Sequence, residues 1–139
     1  MLEEISRDLA QYRLDRSADD LDTARINLAA GKFNASANRA YYSIFHAMRA
    51  VLALDKKDFS KHSAVISFFS KDYILTGHFE KEFSKTIRFA EMLRSGSDYT
   101  DYRDATHEEV DDLVLRASNF YEAVREYIST RIEQERTNT

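Results

Sequence analysis

At 139 residues the chain makes one domain, large enough to bury about two-thirds of its unfolded surface without a disulfide or structural metal. It has no Cys, no Pro and 3 Gly, which removes disulfide scaffolds, thiolate zinc sites and cysteine nucleophiles and argues against turn-rich β-sandwiches and barrels. With 20 Lys and Arg against 24 Asp and Glu the net charge is −4, so broad nucleic-acid binding is not expected, while a local basic patch stays open.

The first segment runs from about Leu2 to Ala30. Leu2, Ile5, Leu9 and Tyr12 recur at helical spacing, and Leu14, Ala18, Leu21 and Leu28 continue it with a shift in phase. One long helix or two stacked pieces would both satisfy this pattern, with Ser17 and Asp20 placed to cap a break. Gly31 supplies a left-handed stop. The second segment, about Asn34 to Asp55, carries the stripe Ala37, Tyr41, Ile44, Met48 and Val51, widened by Ala40, Phe45 and Leu52. A stripe that wide faces two neighbours, so this is the expected central helix.

A shorter third segment opens at Ser60, read as its cap, and places Val65, Ile66, Phe69 and Tyr73 on one face before Gly77. The fourth begins near His78, carries Phe79, Phe83, Ile87, Ala90 and Leu93, and is expected to stop at Gly96. The fifth opens with Thr106-His107-Glu108-Glu109, a capping box in which Thr and Glu side chains satisfy orphan backbone donors. Val110, Leu113, Val114, Ala117, Phe120, Val124 and Ile128 form its stripe.

The fold expected is all-α: an antiparallel up-and-down bundle of about five helices, four long and one short. It forms a single domain over 1–139, with residues 1–13 as an N-terminal helix extension and 131–139 as a polar tail that frays. The connection from Ser95 to Ala105 is about eleven residues, longer than most bundle connections. The start, MLEEISRDLA, is charged throughout, and the most apolar stretch (40–54) is short and broken by His46 and Arg49. A soluble, cytoplasmic protein without a membrane span is the expectation.

Arg39, Tyr42, Ser43 and His46 lie at offsets of three, four and seven, on one helical face. They read either as a cleft in which Arg39 holds a phosphate and His46 moves a proton, or as polar groups satisfied within the bundle. Seven residues span about 10 Å of helix, so Arg39 and His46 cannot touch without bending toward each other. Arg94, Asp98, Tyr99 and Arg103 mark a second candidate site, where the fourth helix ends opposite the start of the fifth and a phosphate could meet free N–H groups. The alternative there is an Arg–Asp pair that pins the loop. Asp98, Asp101 and Asp104 lack the spacing of a calcium loop, and no metal or other cofactor is expected. Lys56, Lys57, Lys61 and His62, and separately Lys81, Lys85 and Arg88, form basic clusters that read first as solvated faces.

The blocks AAGKFNASANRAYYSIFHAMRAVL, KHSAVISFFSKDYILTG, MLRSGSDYTDY and EEVDDLVLRASNFYEAVREYI resemble the small stand-alone HEPN-domain proteins, from about Leu14 to Ile128. That resemblance implies a helical bundle, often a homodimer, and a frequent partner in a minimal nucleotidyltransferase encoded nearby. Such pairs form two-component systems, several of them toxin–antitoxin pairs. It also implies that active members are metal-independent ribonucleases using an Arg, four to six residues and a His at a dimer cleft. A nearby Tyr is nucleotidylated in some systems. Arg94 matches the family arginine, but Ser97, Asp98 and Tyr99 stand where the histidine would follow. The reading adopted is therefore a binding and assembly module: a homodimer that pairs with a nucleotidyltransferase and takes a nucleotide or RNA near Arg94, Asp98, Tyr99, Arg103 and Tyr42. The alternative is a ribonuclease using Arg39, His46 or Arg94.

Overall fold

The computed structural model describes residues 3–99 and 104–137, with the backbone alone for 96–99. Among the described residues there are five α-helices and no strand. They are α1 (Glu4–Ala29), α2 (Phe33–Leu54), α3 (His62–Phe69), α4 (Glu82–Tyr99) and α5 (His107–Thr137). A single π-helical turn, Ser70–Ile74, follows α3. No helix among the described residues is long and apolar enough to cross a membrane.

Helix α1 is one uninterrupted rod; it does not break at Ser17–Asp20. Both residues face α2, where Ser17 pairs with Ser43 and Asp20 Oδ1 accepts from Arg39, so neither acts as a cap. The Ser17 hydroxyl donates to the Ser43 carbonyl at 2.6 Å, and the Ser43 hydroxyl donates back to the Ser17 carbonyl at 2.9 Å. Ser36 donates to the Ala24 carbonyl at 2.7 Å, and Arg13 to the Arg49 carbonyl at 3.1 Å. The pairings 24/36, 17/43 and 13/49 define an antiparallel hairpin. Small side chains let the two backbones approach closely enough for these bonds.

Gly31 closes α1 as expected. Its φ of +76° places it in the left-handed region. The Lys32 N–H then reaches back to the Asn27 carbonyl at 2.8 Å, and the Gly31 N–H to the Leu28 carbonyl at 3.1 Å, the paired bonds of a Schellman stop. The capping box at the start of α5 also forms: Glu109 N–H donates to Thr106 Oγ1 at 3.2 Å and Thr106 N–H to Glu109 Oε1 at 3.0 Å.

Helix α2 is the core element. Ala37, Ala40, Ile44, Ala47, Met48, Val51 and Leu52 are all buried, against α1, α4 and α5. Beyond it, Phe120 of α5 is fully buried in a ring cluster with Phe69 at 5.6 Å, Phe83 at 5.2 Å and Phe79 at 6.2 Å. Offset and edge-on contacts of this kind add to the burial of the rings. The cap read at Ser60 shifts: Lys61 is the N-cap residue of α3, and no side chain caps it.

Helix α4 does not stop at Gly96 but continues to Tyr99. A mid-helix Gly costs only about 1 kcal/mol, and no Pro follows to enforce a stop. The expected eleven-residue connection is correspondingly shorter. Its far end is clasped by α2: the Ala105 N–H donates to Asn34 Oδ1 at 2.9 Å, and Asn34 Nδ2 donates to Asp104 Oδ1 at 2.9 Å. The segment expected to fray carries helix through Thr137. Its Arg131 donates to Asp55 Oδ1 at 2.9 Å, and the Tyr73 hydroxyl donates to Asp55 Oδ2. Burial opposes ionisation of Asp55, but those two partners outweigh it and hold its carboxyl below the usual range.

A Cβ at Gly31 would meet nothing within 4 Å, so the Gly31→Ala variant isolates the cost of the left-handed backbone. That variant should be less stable by about 1–2 kcal/mol in urea unfolding, with an unchanged helical circular-dichroism spectrum.

Candidate functional site

Arg39, Tyr42, His46 and Arg49 follow one another at offsets of three, four and three along one face of α2. Helix α1 flanks that face on one side and α4 on the other, so the side chains cannot all reach bulk water. Their partners come from three neighbouring elements.

The bridge between Arg39 and His46 is Asp20 of α1. Arg39 Nη1 donates to Asp20 Oδ1 at 3.1 Å, while Asp20 Oδ2 lies 3.5 Å from His46 Nε2. Asp20 is only 7 % exposed. A carboxylate that deep needs cationic or hydrogen-bonding partners, and Arg39 supplies one on one oxygen only. The second oxygen has no hydrogen bond and faces the imidazole. Burial is the largest influence on His46 and lowers its pKa; Asp20 opposes it, while Arg16, Arg49 and Arg39 reinforce it. His46 is therefore neutral at pH 7. With the Nε2 edge against a carboxylate, the favoured tautomer carries its proton on Nε2 and leaves Nδ1 as an acceptor.

Arg94 of α4 reaches the same face. Its guanidinium carbon sits 4.7 Å from the Tyr41 ring centre and 5.4 Å from that of Tyr42, and its Nη2 donates to the Tyr42 hydroxyl at 3.3 Å. Arg39 lies 5.0 Å from the same Tyr42 ring. Tyr42 is thus held between guanidiniums from two helices, with its ring 6.1 Å from that of His46.

His62, at the first turn of α3, completes the cluster. Its ring packs 4.1 Å from Phe45, and its Nδ1 lies 3.1 Å from the Tyr41 hydroxyl. Burial pushes the Tyr41 phenol up to about 12, so Tyr41 stays protonated and donates to that nitrogen. Burial lowers the His62 pKa, and Arg94 and Arg49 lower it further. Asp58 ties down the neighbouring charges. It accepts from Arg13 Nη2 at 2.9 Å and from Arg49 Nη2 at 2.9 and 3.0 Å, which fixes the α2–α3 connection beside the site.

Of the residues marked from sequence, Arg39, Tyr42, His46 and Arg94 converge in one cluster, while Ser43 is tied to Ser17 in the α1–α2 seam. Asp98 and Tyr99 contribute described backbone only, at the last turn of α4, and Arg103 lies outside the described residues. Sequence reading missed Asp20, which it took for a capping residue. It also missed His62, taken for part of a basic cluster; Tyr41 is core, as read, and brings its hydroxyl to His62. A signal for Asp20 was present: Ala10, Arg13, Ser17, Asp20 and Ala24 recur at offsets of three and four, a buried stripe of α1 with polar residues at its centre.

Residues 10–127 match the HEPN domain, and the chain belongs to that family. It is 29 % identical over 120 residues to a protein of Thermotoga maritima named "UPF0332 protein", covering 86 % of this chain and 91 % of that one. It is 27 % identical over 119 residues to the "Putative toxin MJ0605" of Methanocaldococcus jannaschii, covering 86 % of this chain and 88 % of that one. A shorter match, 40 % identical over 69 residues, links it to "UPF0332 protein PH1297" of Pyrococcus horikoshii, covering 50 % and 49 % of the two chains.

Replacing Asp20 with Asn removes the one influence that raises the His46 pKa and keeps the side-chain volume. The imidazole should then titrate lower still, as expected for loss of a neighbouring opposite charge. NMR titration of the ring carbon-bound protons in wild type and Asp20→Asn measures this directly.

Proposed function

We propose that this HEPN protein is a binding and assembly module. In this reading it forms a homodimer, pairs with a minimal nucleotidyltransferase encoded nearby, and takes the phosphate of a nucleotide or RNA on the Tyr42 face. The observation that carries the reading is the placement of two guanidiniums, Arg39 and Arg94, from separate helices around one tyrosine. Guanidinium donors match phosphate oxygens in geometry and charge. The flat ring of the half-buried Tyr42 offers the stacking surface that a base requires. The toxin names carried by relatives in Methanocaldococcus jannaschii fit a paired, regulated component.

Substituting Arg94 with Ala should weaken binding of an oligoribonucleotide or mononucleotide at least tenfold, read by fluorescence anisotropy or calorimetry. Light scattering should give a dimer for both proteins. Co-expression with the neighbouring nucleotidyltransferase should yield a complex that survives gel filtration at micromolar concentration; clean separation would overturn the pairing.

A second reading rests on a different observation, the contact of Asp20 with His46. A neutral imidazole oriented by a carboxylate, beside an arginine, is the apparatus of a general base at a phosphodiester. The bound RNA would then be cut as well as held, without a metal. Wild type should cleave RNA in EDTA, and His46→Ala should lose that cleavage by at least 100-fold. Equal background cleavage by both would remove this reading.

A further inference from the structure

His46 is not the sole imidazole on this face. His62 comes from a different element, α3, yet both rings border the same pair of aromatic side chains. The His46 ring lies 6.1 Å from Tyr42 and 5.9 Å from Phe45; the His62 ring lies 5.8 Å and 4.1 Å from the same two. Tyr42, with Arg94 on its hydroxyl, stands between them. With Tyr42 and Phe45 as common neighbours, the two imidazoles border one patch, where a single phosphodiester could meet both.

The two imidazoles are held in opposite senses. Asp20 faces Nε2 of His46, which leaves Nδ1 to accept a proton. The Tyr41 hydroxyl occupies Nδ1 of His62; in the imidazolium that nitrogen donates to the hydroxyl oxygen, which leaves the Nε2 proton as the one to give. The charged surroundings differ in the same direction. His46 has a carboxylate at contact distance, which stabilises the imidazolium formed when it accepts a proton. His62 has Arg94 and Arg49 as its charged neighbours, which make its imidazolium a stronger acid.

We propose that His62 is a second catalytic residue of this site, acting as general acid opposite His46 as general base in the cleavage of single-stranded RNA. The inference rests on the ribonuclease reading above and assigns the acid that reading lacks. The ribose 2′-hydroxyl gives its proton to His46 Nδ1 as its oxygen bonds to the adjacent phosphorus. The bond from phosphorus to O5′ breaks, and His62 Nε2 delivers its proton to that oxygen. The products are a 2′,3′-cyclic phosphate and a free 5′-hydroxyl; no water, metal or redox partner is consumed. Arg39 and Arg94 offset the charge that builds on the non-bridging oxygens.

The pH profile follows from the groups around each ring. His46 is faced by Asp20 and Arg16 from α1 and by Arg39 and Arg49 from α2. His62 is faced by Arg94 from α4 and by Arg49 and Tyr41 from α2. Burial and these neighbours set both imidazoles below their ordinary value of about 6.5. Activity needs one neutral and one protonated ring, so the profile is bell-shaped with its optimum on the acid side of that value.

The test uses the full chain in EDTA with two oligonucleotides, each carrying a single ribose in a DNA strand. One has the natural phosphodiester; the other has sulfur in place of O5′, a leaving group that needs no proton. His62→Ala and the smaller perturbation His62→Asn should lose at least 100-fold on the natural bond and recover to within a few fold of wild type on the sulfur-bridged one. His46→Ala should be impaired on both. Equal losses of the His62 variants on both substrates, or wild-type rates on the natural one, would overturn the role of His62 alone. Failure of wild type to cut either substrate would overturn that role together with the ribonuclease reading.

Discussion

The buried carboxylate of Asp20 constrains everything around it. A carboxyl group 7 % exposed in the α1–α2 seam demands compensation, and α2 answers with Arg39 on one oxygen and His46 beside the other. Breaking such an arrangement by removing one partner costs more than the arrangement contributes when intact, because a lone charge is left inside. Neutral groups elsewhere in the seam follow the same logic: Ser17 with Ser43 and Ser36 with Ala24 satisfy polar atoms that the close approach of two helices would otherwise strand. This seam adds matched hydrogen bonds to the apolar burial of Ala10, Leu14, Leu21 and Ala24. That matching fixes the register of α1 on α2 to the residue, and with it the alignment of Asp20 to the site.

Most of the scaffold was legible in the chain. The wide stripe of α2, the stripe of α5, the Gly31 stop and the Thr106 capping box depend on local spacing and backbone chemistry, and each appears where the sequence puts it. Local rules failed where a tertiary partner intervened. Ser17 and Asp20 are good capping residues, and nothing in α1 itself says that α2 will claim them. Gly96 has the chemistry of a stop, yet its small helical penalty was outweighed and α4 continued. The candidate site was half legible for the same reason. Arg39, Tyr42 and His46 share a face by spacing alone. The arrival of Arg94 from 52 residues beyond Tyr42, and of His62 beside Phe45, depends on how helices pack.

Aromatic surface and positive charge meet at this face in an unusual balance. The guanidiniums of Arg39 and Arg49 are drawn partly toward Asp20 and Asp58, and Arg94 leans on two tyrosines. Fixed partners of this kind hold long, flexible side chains in place before any ligand arrives, which reduces the entropy lost on binding. The same pairing moderates the local charge in a chain that is net acidic. Long-range attraction of nucleic acid is thereby limited, and selectivity rests with contacts made at close quarters.

The α1–α2 hairpin has one more consequence, for biogenesis. Its stabilising bonds join residues only 12 to 36 positions apart, so the loop closed by each is short and inexpensive in entropy. Asp20, Arg39 and His46 can therefore meet while the ribosome is still translating the later helices, and Arg94 docks onto a platform already in place once α4 emerges.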